Sequence, residues 1–151
     1  MVVIADIDLA GAAVKAQALR DAGWRADSVA LDLTNEASVV ECCTQTVARH
    51  GAPWLLVNNA GLQHREFLLD ASVEHWERTQ QVNARGPFLM MREVARSMIA
   101  AGQGGRIVNC ASSGLAGQFV QGLSAYLASK GALAAMTTTG AFELAEHAIT
   151  V

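Results

Sequence analysis

Met1-Val2-Val3-Ile4-Ala5-Asp6 opens the chain as a short apolar run closed by a carboxylate. Leu9, Ala12, Ala13, Ala16 and Leu19 then recur at helical spacing until Gly23, and a weaker apolar run, Asp27 to Leu31, follows. A short apolar run between polar residues predicts a buried strand, and recurrence at three and four predicts a helix with one buried face. Glycine is the usual helix terminator. Strand, helix and strand in succession make a βαβ unit, whose two strands must run parallel.

The same alternation continues outward. Thr34 is placed to cap a second helix, with Glu36 in the first turn where the helix dipole favours a carboxylate. Val39, Val40, Cys43 and Val47 form its apolar face, and Gly51-Ala52-Pro53 ends it. Trp54-Leu55-Leu56-Val57 is a third strand that stops at Asn58-Asn59-Ala60-Gly61. A polar stretch, Gln63 to Glu66, leads to a long helix from about Ser72 to Ala100, with a kink expected at Gly86-Pro87. Gly104-Gly105 precedes a strand from Arg106 to Cys110, and a glycine-rich loop runs from Ala111 to Leu123. A last helix covers about Ser124 to His147, and Ile149-Thr150-Val151 begins another strand. The pattern predicts an α/β fold: one doubly wound parallel sheet with helices on both faces, in a single domain spanning 1–151.

Composition narrows the function. Of 151 residues, 52% are hydrophobic and 17% charged, and the net charge is −3, so disorder and a basic nucleic-acid or membrane surface are both excluded. No apolar run approaches a membrane span, and no basic leader precedes the first strand, so a cytoplasmic protein is expected. Cys42, Cys43 and Cys110 are an odd set with an adjacent pair, which reads as free thiols in a reducing compartment. The four histidines lack metal-ligand spacing, so no metal is expected.

Chemistry concentrates near the end. Tyr126 and Lys130 are four apart on one helix and share a face. A phenol is a poor acid–base group at neutral pH, and an ammonium one turn away makes the phenolate easier to form. Ser113 lies on the loop after a strand, the ligand edge of a parallel sheet, where its hydroxyl can hold a substrate oxygen. The set suits proton transfer to oxygen while another group moves a hydride. A Tyr–Lys pair alone is a weak signal, and a serine in a glycine-rich loop is also ordinary turn chemistry.

The neighbours add to it. Asn58-Asn59-Ala60-Gly61 follows a strand, Asn83 lies within Val82-Asn83-Ala84-Arg85-Gly86, and Gly105-Arg106-Ile107-Val108-Asn109 leads to Ser112-Ser113. With Tyr126-Leu127-Ala128-Ser129-Lys130, these motifs resemble the short-chain dehydrogenase/reductase family over essentially the whole chain. The family's interval of thirteen residues from serine to tyrosine selects Ser113 over Ser112. The resemblance implies a Rossmann-like fold and an NAD(P)-dependent oxidoreductase interconverting a secondary alcohol and a ketone. It implies Tyr126 as general acid–base and Lys130 as its activator and ribose holder. Ser113 would polarise the substrate, and Asn83 would hold a relay water through a carbonyl freed by the helix kink. Asn58, Ala60 and Gly61 would line the cofactor.

Asp6 ends a strand where a carboxylate can accept from both adenosine ribose hydroxyls and repel a 2′-phosphate, which favours NAD over NADP. Capping of the next helix by Asp6 or Asp8 is the structural alternative. Asp32 matches a family position that binds the adenine amino group, or else serves the helix-start turn. His64 and Arg65, at the substrate edge, suit a carboxylate or sugar hydroxyls, as in family members acting on sugar acids such as gluconate. A 3-oxoacyl-thioester reductase is the competing substrate class.

The departures from the family are as definite. The resemblance equates the first strand here with the family's second. The family's glycine-rich phosphate turn and its last strands have no counterpart in this sequence. The sheet is therefore expected to be incomplete, with a gap between the first and third strands here and unpaired backbone along it. A fragment of a longer enzyme, marginally folded and inactive alone, is the expectation; a truncated binding module is the alternative. The family implies a homotetramer or dimer for the parent.

Overall fold

The computed structural model describes residues 1–117 and 120–151; Gln118 and Phe119, in the glycine-rich loop, lie outside the described residues. The elements are β1 (Val2–Asp6), α1 (Leu9–Asp21), β2 (Ala26–Ala30), α2 (Glu36–His50), β3 (Leu55–Asn58) and α3 (Val73–Gln80). A π-helical turn, Gln81–Arg85, leads without a break into α4 (Gly86–Ala101), followed by β4 (Gly105–Asn109), α5 (Ser124–Leu144) and β5 (Ile149–Thr150).

Local chemistry sets the helix ends. Asp8 caps α1, its carboxylate accepting from Gly11 N at 3.0 Å. A Cβ on residue 11 would collide with that carboxylate. At α2 the cap is Asn35, not Thr34, and its Oδ1 accepts from Ala37 N at 3.0 Å. Thr34 is spent elsewhere: its N–H and hydroxyl both donate to Asp32 Oδ1, at 2.9 and 2.7 Å. The long helix also departs from expectation, because its irregularity lies one turn before Gly86-Pro87. Pro87 stands in the first turn of α4. Having no N–H, it leaves the carbonyl four residues earlier, that of Asn83, without an α-helical donor. The helix widens rather than breaks, and Gly86 N donates to Gln81 O, five residues back.

All strand pairs are parallel. Val2 to Asp6 lie opposite Ala26 to Ala30, Leu55 to Asn58 opposite Arg106 to Asn109, and Gly105-Arg106 opposite Ile149-Thr150. The order is β1–β2 in one sheet and β3–β4–β5 in another, with no hydrogen bonding between β1 and β3. A cavity of about 770 Å³ separates those two strands, lined along their full lengths and floored by Cys42, Cys43, Met90 and Val94. The expected gap is therefore present.

The core forms where α2 and α4 meet and where α4 and α5 cover β3 and β4. Val39, Leu89, Met98, Leu133 and Ile149 are wholly or almost wholly buried there. Cys42 is buried, and burial pushes the Cys43 thiol up to about 12, which leaves it inert at neutral pH. The expectation of helices on both faces holds only in part. α1 packs on β1 and β2. On β3 and β4 the residues facing α4 and α5, Leu56 and Ile107, are buried, whereas Leu55, Val57 and Val108 are 46%, 50% and 49% exposed. Alternation in a strand sends these to the opposite face, and no helix of the described residues covers it. Among the described residues no helix is long and apolar enough to cross a membrane.

Candidate active site

Parallel strands end on one edge, so Asp6, Asn58–Gly61 and Cys110–Ser113 follow β1, β3 and β4 to the same side. Leu31 N donates to Asp6 O at 3.0 Å, which brings Asp32 beside the end of β1.

The centre is a buried polar knot. Asn83, in the π turn, is fully buried. Its Oδ1 accepts from Leu62 N at 2.7 Å, and its Nδ2 donates to Leu62 O at 2.8 Å and to Ser129 Oγ at 3.1 Å. Ser129, also fully buried, donates to Tyr126 O at 2.6 Å. The Asn83 side chain is thus committed to holding the turn after Gly61 against α5.

Lys130 is 4% exposed and donates from Nζ to Cys110 O at 2.6 Å. Burial pushes its ammonium below the usual lysine range, opposed by the nearby Cys110. Nζ lies 5.8 Å from the centre of the Tyr126 ring, the separation expected one helical turn apart. Gly61 approaches closely: a Cβ there would stand 3.4 Å from Asn83 Oδ1 and 3.6 Å from Lys130 Nζ. Gly61, Asn83, Tyr126 and Lys130 are therefore one assembly.

The serines divide their work. Ser112 Oγ accepts from Gly114 N at 3.2 Å and caps the 3₁₀ turn Ser113–Ala116, so its hydroxyl is engaged. Ser113 is exposed on the ligand edge. Asn58 is buried and turned inward: its Nδ2 donates to Asn109 Oδ1 at 2.8 Å, so it faces β4 and α5 with its side chain. Ala60 is exposed beside it. Asp8 takes the cap of α1, and the carboxylate of Asp6, which is exposed, accepts only from Asp8 N, at 2.9 Å, among the described contacts. Asp32 is held below the usual carboxylate range by the Thr34 hydroxyl and N–H. Arg65 is exposed; His64 stacks on His75 of α3 with ring centres 4.6 Å apart.

Four groups that the sequence reading passed over complete the site. Ser129 lies inside the Tyr126–Lys130 stretch itself. Asn109 Nδ2 donates to Thr137 Oγ1 at 2.9 Å, linking β3, β4 and α5 through the Asn58 and Asn109 amides. Gln80 Nε2 donates to Ala125 O at 3.0 Å, tying α3 to the turn of α5 that carries Tyr126. A polar residue on a helix face turned to the core was the available signal for Ser129 and Thr137; Asn109 closes the strand motif quoted for the resemblance, and Gln80 carried no signal.

The residues fit the two sugar ends of a dinucleotide better than its middle. Lys130 and Gly61 stand at one end, and Asp6 with Asp32 at the other. Anions favour a helix N-terminus with free N–H groups, but Asp8 fills that of α1 and Glu36 occupies the first turn of α2.

The family model described as short chain dehydrogenase matches residues 1–151. The sorbitol dehydrogenase of Cereibacter sphaeroides is 37% identical over 151 residues, covering 99% of this chain and 57% of the relative. The galactitol 2-dehydrogenase of Agrobacterium fabrum is 36% identical over 151 residues, with coverage of 99% and 57%. Among solved structures, a gluconate 5-dehydrogenase from Burkholderia cenocepacia, in complex with NADP and tartrate, superimposes with a TM-score of 0.91 at 35% identity. That match covers 97% of this chain and 57% of the other. The chain thus spans a little over half the length of these relatives.

Proposed function

Because this chain belongs to the short-chain dehydrogenase family, we propose that it carries the proton-transfer half of an NAD(P)-dependent oxidoreductase. The reaction interconverts a secondary alcohol and a ketone in a polyol or sugar acid. The observation that carries this reading is the single assembly of Gly61, Asn83, Tyr126 and Lys130, with the lysine buried and anchored on the Cys110 carbonyl. The names of the relatives support the polyol and sugar-acid class over the 3-oxoacyl-thioester class.

A bound NAD(P) would supply the hydride acceptor or donor. The Tyr126 phenol takes the proton from the alcohol oxygen, or returns it to the ketone oxygen. Lys130, anchored on the Cys110 carbonyl, stands one helical turn from the Tyr126 ring. Ser113 donates a hydrogen bond to the substrate oxygen, and the Asn83 carbonyl holds the water that passes the proton outward. Asp6 would accept from the adenosine ribose hydroxyls and disfavour a 2′-phosphate, which would favour NAD over NADP. Asp32 would serve the adenine end. The backbone of Asn58, with Ala60 and Gly61, would hold the nicotinamide end, while Arg65 and His64 would meet the polar substrate.

One observation favours a second reading of residues 1–151 taken alone. Carboxylates stand at the N-termini of α1 and α2, so neither offers a pyrophosphate cradle. This chain by itself is then inactive, a fragment or binding module. The test is a thermal melt of residues 1–151 by far-UV circular dichroism with excess NADH or NADPH, beside an assay on sorbitol, galactitol and gluconate. A ligand that binds only the native state raises the midpoint. An unshifted melt without turnover is expected for the isolated chain. Turnover with NAD that Tyr126→Phe abolishes would establish the enzymatic reading for this chain and discard the second.

A further inference from the structure

Gln63 to Glu66 follows the turn held by Asn83, and the proton-transfer assembly makes no use of its far end. We propose that Glu66 is a positioning residue that ties this loop, α3 and the turn into α5 into a single wall beside the site. Its meaning as a substrate wall rests on the function proposed above.

Three contacts meet at this one residue. Glu66 Oε1 lies 2.5 Å from His75 Nδ1 on α3, and Oε2 accepts from Ser72 N, the cap residue of α3, at 3.2 Å. The Glu66 N–H donates to Gly122 O at 3.0 Å, across to the turn that precedes α5. Gly122 has φ +75°, and a Cβ there would stand 3.4 Å from Glu66 N and 3.5 Å from Glu66 O. The two backbones therefore touch with no side chain between them. At the other end of the segment, Leu62 is gripped through its N–H and carbonyl by Asn83. Gln63, His64 and Arg65 are exposed between two fixed points, a bridge pinned at both ends.

The wall leads to Tyr126. Gly122 is four residues before the tyrosine, and Gln80 independently holds Ala125 O from α3. Glu66, from the loop before α3, and Gln80, from the end of α3, thus pin the same approach to α5. The groups acting on the Glu66 carboxylate are His75 and the His64 ring stacked on it. Glu74, Glu77 and Arg78 share a hollow with His75 on α3. The facing turn, Gly122 to Ala125, carries no charge. The hydrogen bond from His75 holds the Glu66 carboxyl below the usual carboxylate range. The tie is therefore complete above the ordinary glutamate range and is lost as pH falls through that lowered value.

Amide hydrogen exchange and chemical shifts of ¹⁵N-labelled residues 1–151 test this without cofactor, so failure to bind NADH leaves the tie intact, and the reverse. The Glu66 amide is expected to exchange at least about tenfold more slowly than those of Gln63 and Arg65. Glu66→Gln should move the His75 Nδ1 resonance, displace the Gly122 and Leu123 amides and erase most of that protection. Acidification of the unsubstituted chain should displace Gly122 and Leu123 in the same direction. Gln63→Ala should do none of this. His75→Ala, which cuts one contact and spares the backbone, should give a smaller effect of the same sign should Glu66→Gln unfold the chain. A Glu66 amide as unprotected as its neighbours overturns the proposal. So does a perturbation that stops at Ser72 and His75 without reaching Gly122.

Discussion

The two sides of β3 differ more than any other neighbouring regions of this molecule. Toward β4 and α5, Asn58 Nδ2 and the side-chain polar atoms of Asn83 and Ser129 are hydrogen-bonded, and Leu56 and Ile107 are sealed under α4 and α5. Toward β1, the backbone of β3 meets an open slot, and Leu55 and Val57 are half exposed. The site residues belong to the closed side, whereas the aspartates that would select a cofactor belong to β1 and β2, across the slot. Proton chemistry needs only the local assembly. Holding a dinucleotide needs both halves at a fixed separation, and no backbone hydrogen bond sets that separation here.

Substitutions on either side sharpen the contrast. Asn83→Ala removes the partner of the half-buried Leu62 N–H and carbonyl and of the buried Ser129 hydroxyl, and should cost about 3–4 kcal/mol, read by urea unfolding. Met98→Ala, at a fully buried position of α4, should cost about 2–5 kcal/mol in the same measurement. In a chain with an open slot, either loss is expected to leave little folded population. At the surface of the β1–β2 half, Asp27 accepts from His50 at 2.8 Å, and that bond, with the Ser28 N–H, holds its carboxyl below the usual range. A lowered carboxyl stabilises the fold above its unfolded value, and the benefit fades as pH drops through the folded one. Asp27→Asn should therefore lower the melting midpoint at pH 7 by the equivalent of about 0.5 kcal/mol. Variant and parent should converge as pH falls through the lowered Asp27 value. The smallest effect belongs to the bare face: Val57→Lys should change stability by no more than about 0.5 kcal/mol, while suppressing aggregation in light scattering. A loss there as large as that of Met98→Ala would mean that the face is covered, and the contrast would fail.

Elements whose cause is local were legible in the sequence. β1, β3 and β4 fall within a residue or two of their apolar runs, and Tyr126 and Lys130 share a helical face as their spacing requires. The cap of α2 was misplaced by one residue because Thr34 and Asn35 are equally good caps. A contact to Asp32, set by the turn after β2, decided between them. The irregularity at Gly86-Pro87 was legible, but not its form, since the missing proline N–H can be absorbed by a kink or by a wider turn. Packing of Asn83 between Leu62 and Ser129 accompanies the wider one. Glu66 was read as one of a polar run, because its partners at 72, 75 and 122 meet only in three dimensions.

By itself, then, the amino-acid order determined the alternation of strands and helices, their parallel sense, and which end of the sheet carries the chemistry. Each of these follows from periodicity and chain geometry over a few residues. Tertiary structure alone decided that Ser129 and Asn109 complete the site, that Asn83 works inward with its side chain, and that one face of β3 and β4 lies bare. Those outcomes depend on which groups remain unpaired once the helices have packed, a sum over distant neighbours that no local spacing encodes.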